Sequence, residues 1–313
     1  METYLGIDLG GTKLLIGEMD KNGNILKQKK YNSGFFNQHD AVDIIKTSVD
    51  DYIKTVGWYD TKPTAMGVGL IGRVDSKQGI WLQIDPGRTQ PVYLAQELSE
   101  LYQIPCYIDN DVKSATRAER AWGFGQISTD FIYINIGTGI AAGIVLNGRQ
   151  IRGSHFNSGE VGHVRVGVQV GAKCTCGRID CVEAIASGIG FDHCARLLHD
   201  QYETKLVIPT DIGERIPVSE IFALSRKGDL LCTRLVENAA EAIANLIMNL
   251  VRMTDPDTVV LGGGVVTDEY LYSKICGYLH PTTMRFVRNG VVITKLNPEF
   301  IGLLGAGAVA MNI

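Results

Sequence analysis

Apolar and polar positions run along the chain in blocks with two periods. From Tyr4 to Leu26, "YLGIDLGGTKLLIGEMDKNGNIL", two apolar runs flank "DLGGTK", and "KNGN" marks a turn before a third run. Short apolar runs bounded by Gly and Asn predict strands joined by tight turns. A near copy starts at Phe131, "FIYINIGTGIAAGIVLNGRQI", so strand, Gly-rich turn, strand occurs twice. Between the copies, Val42, Ile45, Val49 and Tyr52 recur at helical spacing within Ala41–Ile53. "AMGVGLIGRVD" predicts a buried strand ending in a loop, "QPVYLAQELSELYQI" a helix, and "PCYIDND" a strand with a polar end. Beyond Thr233 the period changes: Val236, Ala240, Ile243, Ile247 and Leu250 share one face of a long helix. "DPDTVVLGGGVV" predicts a strand entering a triple-glycine turn, and "FIGLLGAGAVAMNI" a small apolar helix lying on a sheet.

These elements predict an α/β protein of two domains. The boundary is expected near Val112–Gly123: residues 1–115 form the first domain, 116–296 the second, and a helix at about 297–313 returns to the first. The chain's 313 residues allow that much core. At 45% hydrophobic and 20% charged residues it reads as soluble and globular. Net charge is −4 with no basic block, so electrostatics give nucleic-acid binding no support. No apolar run has the length of a membrane span, and "METYLGIDLGG" lacks the features of a secretory signal. Seven cysteines, three of them clustered, argue against a disulfide framework and for a reducing cytoplasm.

Three glycine turns carry candidate chemistry. In Asp8–Thr12 ("DLGGT"), Gly10 and Gly11 let the backbone approach a phosphate and adopt positive φ, and their amides form an anion-binding concavity. Thr12 adds a hydroxyl donor, Lys13 follows as a cation, and Asp8 can reach a hydrated Mg²⁺ that bridges phosphates. The alternative is an ordinary hairpin turn, but Gly137–Thr138–Gly139 repeats the pattern and Gly262–Gly263–Gly264 offers a third close approach. Two facing hairpins could hold one nucleotide. The spacing matches neither a P-loop nor a dinucleotide-binding fingerprint.

"GIDLGGTK", "IDND", "GTGIAAGIVLNG", "GEVGH", "CTCGRIDCVEA" and "PDTVVLGGG" occur here in the order found in ROK (repressor, ORF, kinase) proteins, and the resemblance spans nearly the whole chain. It implies an actin-like, hexokinase-type pair of α/β domains with ATP and sugar meeting in a central cleft. The first strand begins at residue 4, which leaves no room for the helix-turn-helix of the ROK repressors, so the chain resembles the kinase branch. That implies ATP-dependent phosphorylation of a hexose at its 6-hydroxyl, Mg²⁺ with the ATP, and a homo-oligomer, dimer or tetramer. By the same resemblance Asp111 is the catalytic base. Gly72, Arg73, Asn110, Asp111, Glu160, His163 and Glu183 bind sugar.

His163, Cys174, Cys176 and Cys181 supply one imidazole and three thiolates, a set suited to tetrahedral Zn²⁺. Four protein ligands leave no site for an activated water, so the zinc is expected to be structural. A metal-bound imidazole keeps its second nitrogen for another partner, which the resemblance makes a sugar hydroxyl. The remaining four cysteines have no such spacing and read as core or inert thiols.

Several positions depart from the family pattern. Asp180 stands where Gly usually precedes the third cysteine, and Lys113 where Asn is common. Ala141 and Ala142 replace glycines after "GTG". "WLQIDPGR" lacks an Asn that contacts sugar in relatives, leaving Asp85 or Gln83 as substitutes. Arg73 stands where Pro is frequent and resembles the N-acetylmannosamine kinase branch, which makes that sugar the rival to a plain hexose. Asp109 is the alternative base, and "DND" also suits a helix N-cap. Two further classes are a sugar-sensing regulator without turnover and a purely structural zinc protein.

Overall fold

Both strand–turn–strand repeats fold as antiparallel hairpins, and each seeds a sheet of the same order. The computed structural model describes residues 1–11, 13–34, 37–84, 90–211 and 213–313. They divide into two compact units: Met1–Ile127 with Arg152–Ser158 and Lys295–Ile313, and Ser128–Ile151 with Gly159–Thr294.

The first unit begins with β1 (Tyr4–Leu9), β2 (Lys13–Met19), β3 (Ile25–Asn32) and α1 (Gln38–Thr55). Asn37 caps α1 by accepting from the His39 and Asp40 amides, and the helix buries the expected Val42, Ile45, Val49 and Tyr52. Next come β4 (Ala65–Leu70), the short pair β5 (Arg73–Asp75) and β6 (Ile80–Gln83), α2 (Leu94–Tyr102), β7 (Cys106–Asn110) and α3 (Asp111–Trp122). Among the described residues the sheet has the order β3-β2-β1-β4-β7. The β1–β2–β3 side is antiparallel, while β4 and β7 run parallel to β1. All six residues of β4 are buried, as its unbroken apolar run requires.

The second unit repeats this plan with β8 (Phe131–Ile136), β9 (Ile140–Leu146) and β10 (Arg149–Gln150). It continues through α4 (Val182–Ala186), α5 (Gly188–Leu198), α6 (Val218–Ser225), α7 (Leu230–Thr254), β11 (Thr258–Gly262), α8 (Glu269–Tyr278), α9 (Pro281–Met284) and β12 (Val291–Ile293). Its sheet has the order β10-β9-β8-β11-β12, with β11 and β12 parallel to β8. The alanine-rich α7 is its central helix and lies against α4, α5, α6 and α8.

The last helix, α10 (Ile301–Ala310), belongs to the first unit and lies on β1, β4 and α3. Backbone meets backbone there. A Cβ on Gly67 would stand 2.0 Å from the Ala306 carbonyl oxygen, and one on Gly6 2.8 Å from that of Leu303. The expected domain boundary at 115/116 falls inside α3, whereas α3 packs whole within the first unit and the division comes after Ile127. A helix is a rigid rod with one buried face, so it stays with the sheet that face covers. Among the described residues no helix is long and apolar enough to cross a membrane.

Candidate active site

The stretch Asp109–Asn110–Asp111 gives three polar residues three different surroundings. Asp109 is fully buried. Arg152 grips both its oxygens, at 2.9 and 2.8 Å, and Arg117 Nε adds a third contact at 3.2 Å. Asn110, not Asp111, caps α3: its side-chain oxygen accepts from the Val112 and Lys113 amides, both at 3.1 Å. Its amide nitrogen donates to the Gly72 carbonyl at 3.0 Å and to Asp111 Oδ1 at 2.9 Å. The cap therefore orients the next carboxylate and joins it to the β4–β5 turn. Asp111 is half-buried at the first position of α3, where the helix dipole favours negative charge.

Arg73 pairs with Gln83 across the β5–β6 ribbon, Nη2 donating to Oε1 at 3.0 Å. Its Nε is buried and has no acceptor among the described residues. Asp85, the other candidate substitute for the missing Asn, and Thr12 lie outside the described residues.

Asp8 ends β1 half-buried against the start of α10, where a Cβ on Gly302 would stand 2.2 Å from its carboxylate. Burial raises its pKa from 3.8 to about 6, against the opposing pull of Lys13. Neither Gly10 nor Gly11 adopts the expected positive φ, and nothing lies within 4 Å of a Cβ on Gly11. The turn itself does not require glycine there.

In the second unit the Gly137–Gly139 turn is fastened from below. The Gly188 and Ile189 amides at the start of α5 donate to the carbonyls of Gly137 and Thr138, at 2.8 and 3.3 Å. Glu183 Oε2 accepts from the Ile140 amide at 2.9 Å. A Cβ on Gly139 would come within 2.6 Å of that carboxylate and push it off the Ile140 amide. The Gly262–Gly264 loop closes on the end of β8 through Val265 N, which donates to the Ile136 carbonyl at 3.0 Å. These turns edge a pocket of about 390 Å³ lined by Gly137, Thr138, Gly188, Arg215, Ile216, Val218, Gly264 and Val265. Gly188 and Arg215 carry no motif and escape a reading by sequence.

The cysteine segment draws three of its four expected ligands into one group, with the fourth beside one of them. His163 ends a short 3-10 turn, Val161–His163, held against β9 by the hydrogen bond from Ala142 N to the Gly159 carbonyl. Its Nδ1 lies 3.4 Å from Cys174 Sγ and 3.9 Å from Glu183 Oε1. Ligand atoms of His163, Cys174 and Cys176 fall within 4.8 Å of one another, and Cys181 Sγ is 3.6 Å from Cys176 Sγ. In a tetrahedral zinc site with Zn–S about 2.3 Å and Zn–N about 2.0 Å every ligand pair stands about 3.5–3.8 Å apart. The 3.4 and 3.6 Å contacts approach that spacing, while Cys181 stands outside the three-residue group. Glu160 stands immediately before the His163 turn with its side chain exposed.

Asp180 explains its own departure from glycine. It sits at φ 60° inside the knot, and its Oδ1 accepts from the amides of Val170, Gly171 and Ala172 at 3.1, 2.8 and 2.9 Å. Glycine would adopt the backbone more easily but could bind none of these amides. Of the other cysteines, Cys194 and Cys232 are buried and burial pushes their thiols up to about 12, while Cys276 is exposed.

The family model described as ROK matches residues 4–313. A glucokinase of Halalkalibacterium halodurans is 29% identical over 84% of this chain and 80% of its own. An N-acetylmannosamine kinase of Haemophilus influenzae is 31% identical over 88% and 85%. The crystal structure of a ROK glucokinase from Streptomyces griseus, in complex with glucose and AMPPNP, matches at TM-score 0.78 and 26% identity, covering 99% of this chain and all of that one. The fold is thus the actin-like, hexokinase-type α/β fold, and with the match running from residue 4 to the last residue, this chain belongs to the ROK family.

Proposed function

We propose that the protein transfers the γ-phosphoryl group of ATP to the 6-hydroxyl of a hexose, with Asp111 as general base. Membership of the ROK family and similarity to a glucokinase and an N-acetylmannosamine kinase support sugar phosphorylation. One observation carries the choice of base: Asp109 is buried with both oxygens on guanidinium groups, while Asp111 stands half-exposed at the start of the helix. A carboxylate closed off from solvent, with both oxygens already accepting from guanidinium groups, offers no open position to a substrate hydroxyl. In the reaction the sugar 6-hydroxyl loses its proton to Asp111 as its oxygen attacks the γ-phosphorus. The bond from that phosphorus to the bridging oxygen breaks, and ADP leaves with the electron pair.

The candidate nucleotide contacts are Gly10, Gly11 and Lys13, and the Gly137–Gly139 and Gly262–Gly264 turns. Bound Mg²⁺ would neutralise charge on the β- and γ-phosphates, and Asp8 is the carboxylate suited to its hydration shell. Zinc, held by His163, Cys174, Cys176 and Cys181, would fix the turn that follows Glu160 and the start of α4, which carries Glu183. With Nδ1 directed at the thiolates, His163 Nε2 is the nitrogen for a sugar hydroxyl. Seven cysteines outside any disulfide and the use of ATP support a cytoplasmic location.

N-acetylmannosamine is the second acceptor. Arg73 Nε is a buried donor that an acetamido carbonyl would satisfy. An ADP-release screen over hexoses, N-acetylhexosamines and β-glucosides tests the proposal. Turnover with a hexose is expected; no ADP release with any sugar would defeat it. A preference for N-acetylmannosamine that is lost in Arg73→Pro would transfer the assignment to the acetamido sugar.

A further inference from the structure

Segment Arg152–Ser158 belongs to the first unit although the strands before it belong to the second. It is tied down at two points, by residues that precede and follow Asp111 in the sequence. Arg152 binds both oxygens of Asp109 and reaches Ser76 Oγ at 2.8 Å. Lys113 Nζ donates to the main-chain carbonyl of Phe156. The anchoring residues, 109 and 113, lie two positions before and two after Asp111.

Both partners of the second tie are in unusual states. Lys113 sits in the first turn of α3 with 5% of its surface exposed, rare for a lysine because its ammonium must leave water. Phe156 sits at φ 60°, in the left-handed region that a bulky side chain avoids. Such a conformation persists where its surroundings over-determine it, and it concentrates at functional sites. The loop's own bonds are long: Phe156 N donates to the Gly153 carbonyl at 3.5 Å and Ser158 N to that of Arg152 at 3.3 Å. The charged donor of Lys113 is the stronger restraint. Along the loop, Ser154, His155 and Asn157 are exposed, three side chains that hydrogen-bond hydroxyl groups.

We propose that Lys113 is a positioning residue of the acceptor site: by holding Phe156 in its left-handed conformation, it fixes the Gly153–Asn157 loop as a wall beside Asp111 that selects the sugar. The proposal rests on Asp111 being the base of a sugar kinase. The ligand it concerns is a neutral pyranose, whose hydroxyls the loop would read.

Separate KM values for sugar and ATP, across a panel of sugars, test this in Lys113→Met, Phe156→Gly and the double variant. Methionine keeps the unbranched apolar stem and removes the donor. Sugar KM is expected to rise about tenfold in Lys113→Met, the scale of one lost charge-assisted hydrogen bond, with the preference among sugars flattened. ATP KM should move less than about twofold, since the amine acts on the acceptor side only. Glycine holds the left-handed conformation unaided, so Phe156→Gly should bring the double variant back to within about threefold of the Phe156→Gly single variant. If Lys113→Met does not fold, Lys113→Gln, whose donor is neutral and one atom shorter, should show the same changes at a smaller size. A wild-type sugar ranking and KM in these variants would overturn the proposal. So would a parallel rise in both KM values that Phe156→Gly does not reverse. A wild-type protein that phosphorylates no sugar would overturn the kinase reading itself. A working kinase indifferent to Lys113 would overturn this inference alone.

Discussion

The β1–β2 and β8–β9 hairpins occupy the same place in their sheets and turn through similar glycines, yet they differ in charge and in support. The half-buried penultimate residue of β1 is Asp8; that of β8 is Asn135. The second turn is braced by Glu183 and by the first amides of α5. In the first, the Gly10 amide donates to the Lys13 carbonyl, and the acid lies against the start of α10. A repeated scaffold has thus placed an ionisable group in one copy and a rigid frame in the other. The first unit also carries the Asp109–Asp111 cluster, and the second the thiol knot. Chemistry concentrates in one half and shape in the other.

The largest effect that can break this division is at Asp111. Asp111→Asn should lower kcat by on the order of 10²-fold or more while sparing sugar binding, measured by steady-state kinetics and calorimetry. Asp109→Asn should instead destabilise the protein, since it leaves Arg117 and Arg152 facing a neutral amide. A loss on the order of 3–5 kcal/mol in denaturant melts, with kcat kept in the folded fraction, is expected. A fully stable but inactive Asp109→Asn would reverse the two assignments.

Removing metal probes the second unit. Elemental analysis of protein purified without added metal should give about one zinc per chain, and a strong chelator should lower Tm. Folded, active protein with no zinc would refute the knot.

Asp8→Asn makes the first turn copy the second and should lower kcat/KM for MgATP about 10- to 100-fold. Asn135→Asp in that background should not restore it. With its pKa at about 6, Asp8 in the wild type should lose its charge, and kcat/KM for MgATP should fall, as pH drops below 6. The stability effect has the opposite sign. A pKa raised above the unfolded 3.8 favours the folded state below that value, and the advantage fades as pH rises through 6. Asp8→Asn should therefore be more stable than wild type at about pH 7.5, by on the order of 1–2 kcal/mol, and the gap should close toward about pH 4. Thermal melts across that range decide it.

The smallest effect tests the knot's frame. Asp180→Gly relieves a left-handed residue but removes an acceptor from three amides, so a net loss of about 1–2 kcal/mol is expected. A gain in Tm would mean that backbone strain outweighs the hydrogen bonds.

What sequence makes legible follows from the range of the interactions. Hairpins, α1, α7 and the spacing of the cysteine segment rest on neighbours or on a simple period. Asp180 at positive φ likewise needs only its local motif. The grip of Arg152 on Asp109 joins residues 43 apart, and so does that of Lys113 on Phe156. No periodicity announces such pairs. Asn110 and Asp111 are equally good caps on paper, and only the path of the chain into α3 chooses between them. The turn glycines mislead for a related reason: a motif shows that glycine is wanted, but not whether the backbone or a ligand wants it.

Helix α10 finally has a consequence in time. Its backbone lies against Gly6 and Gly67, in strands translated well before it. A nascent chain therefore carries an uncovered face of the first sheet until residues 295–313 have emerged, while the second unit, ending at Thr294, can already close. The half that is synthesised first is completed last, and an exposed apolar sheet face waiting through most of synthesis is a surface that chaperones bind and aggregation exploits.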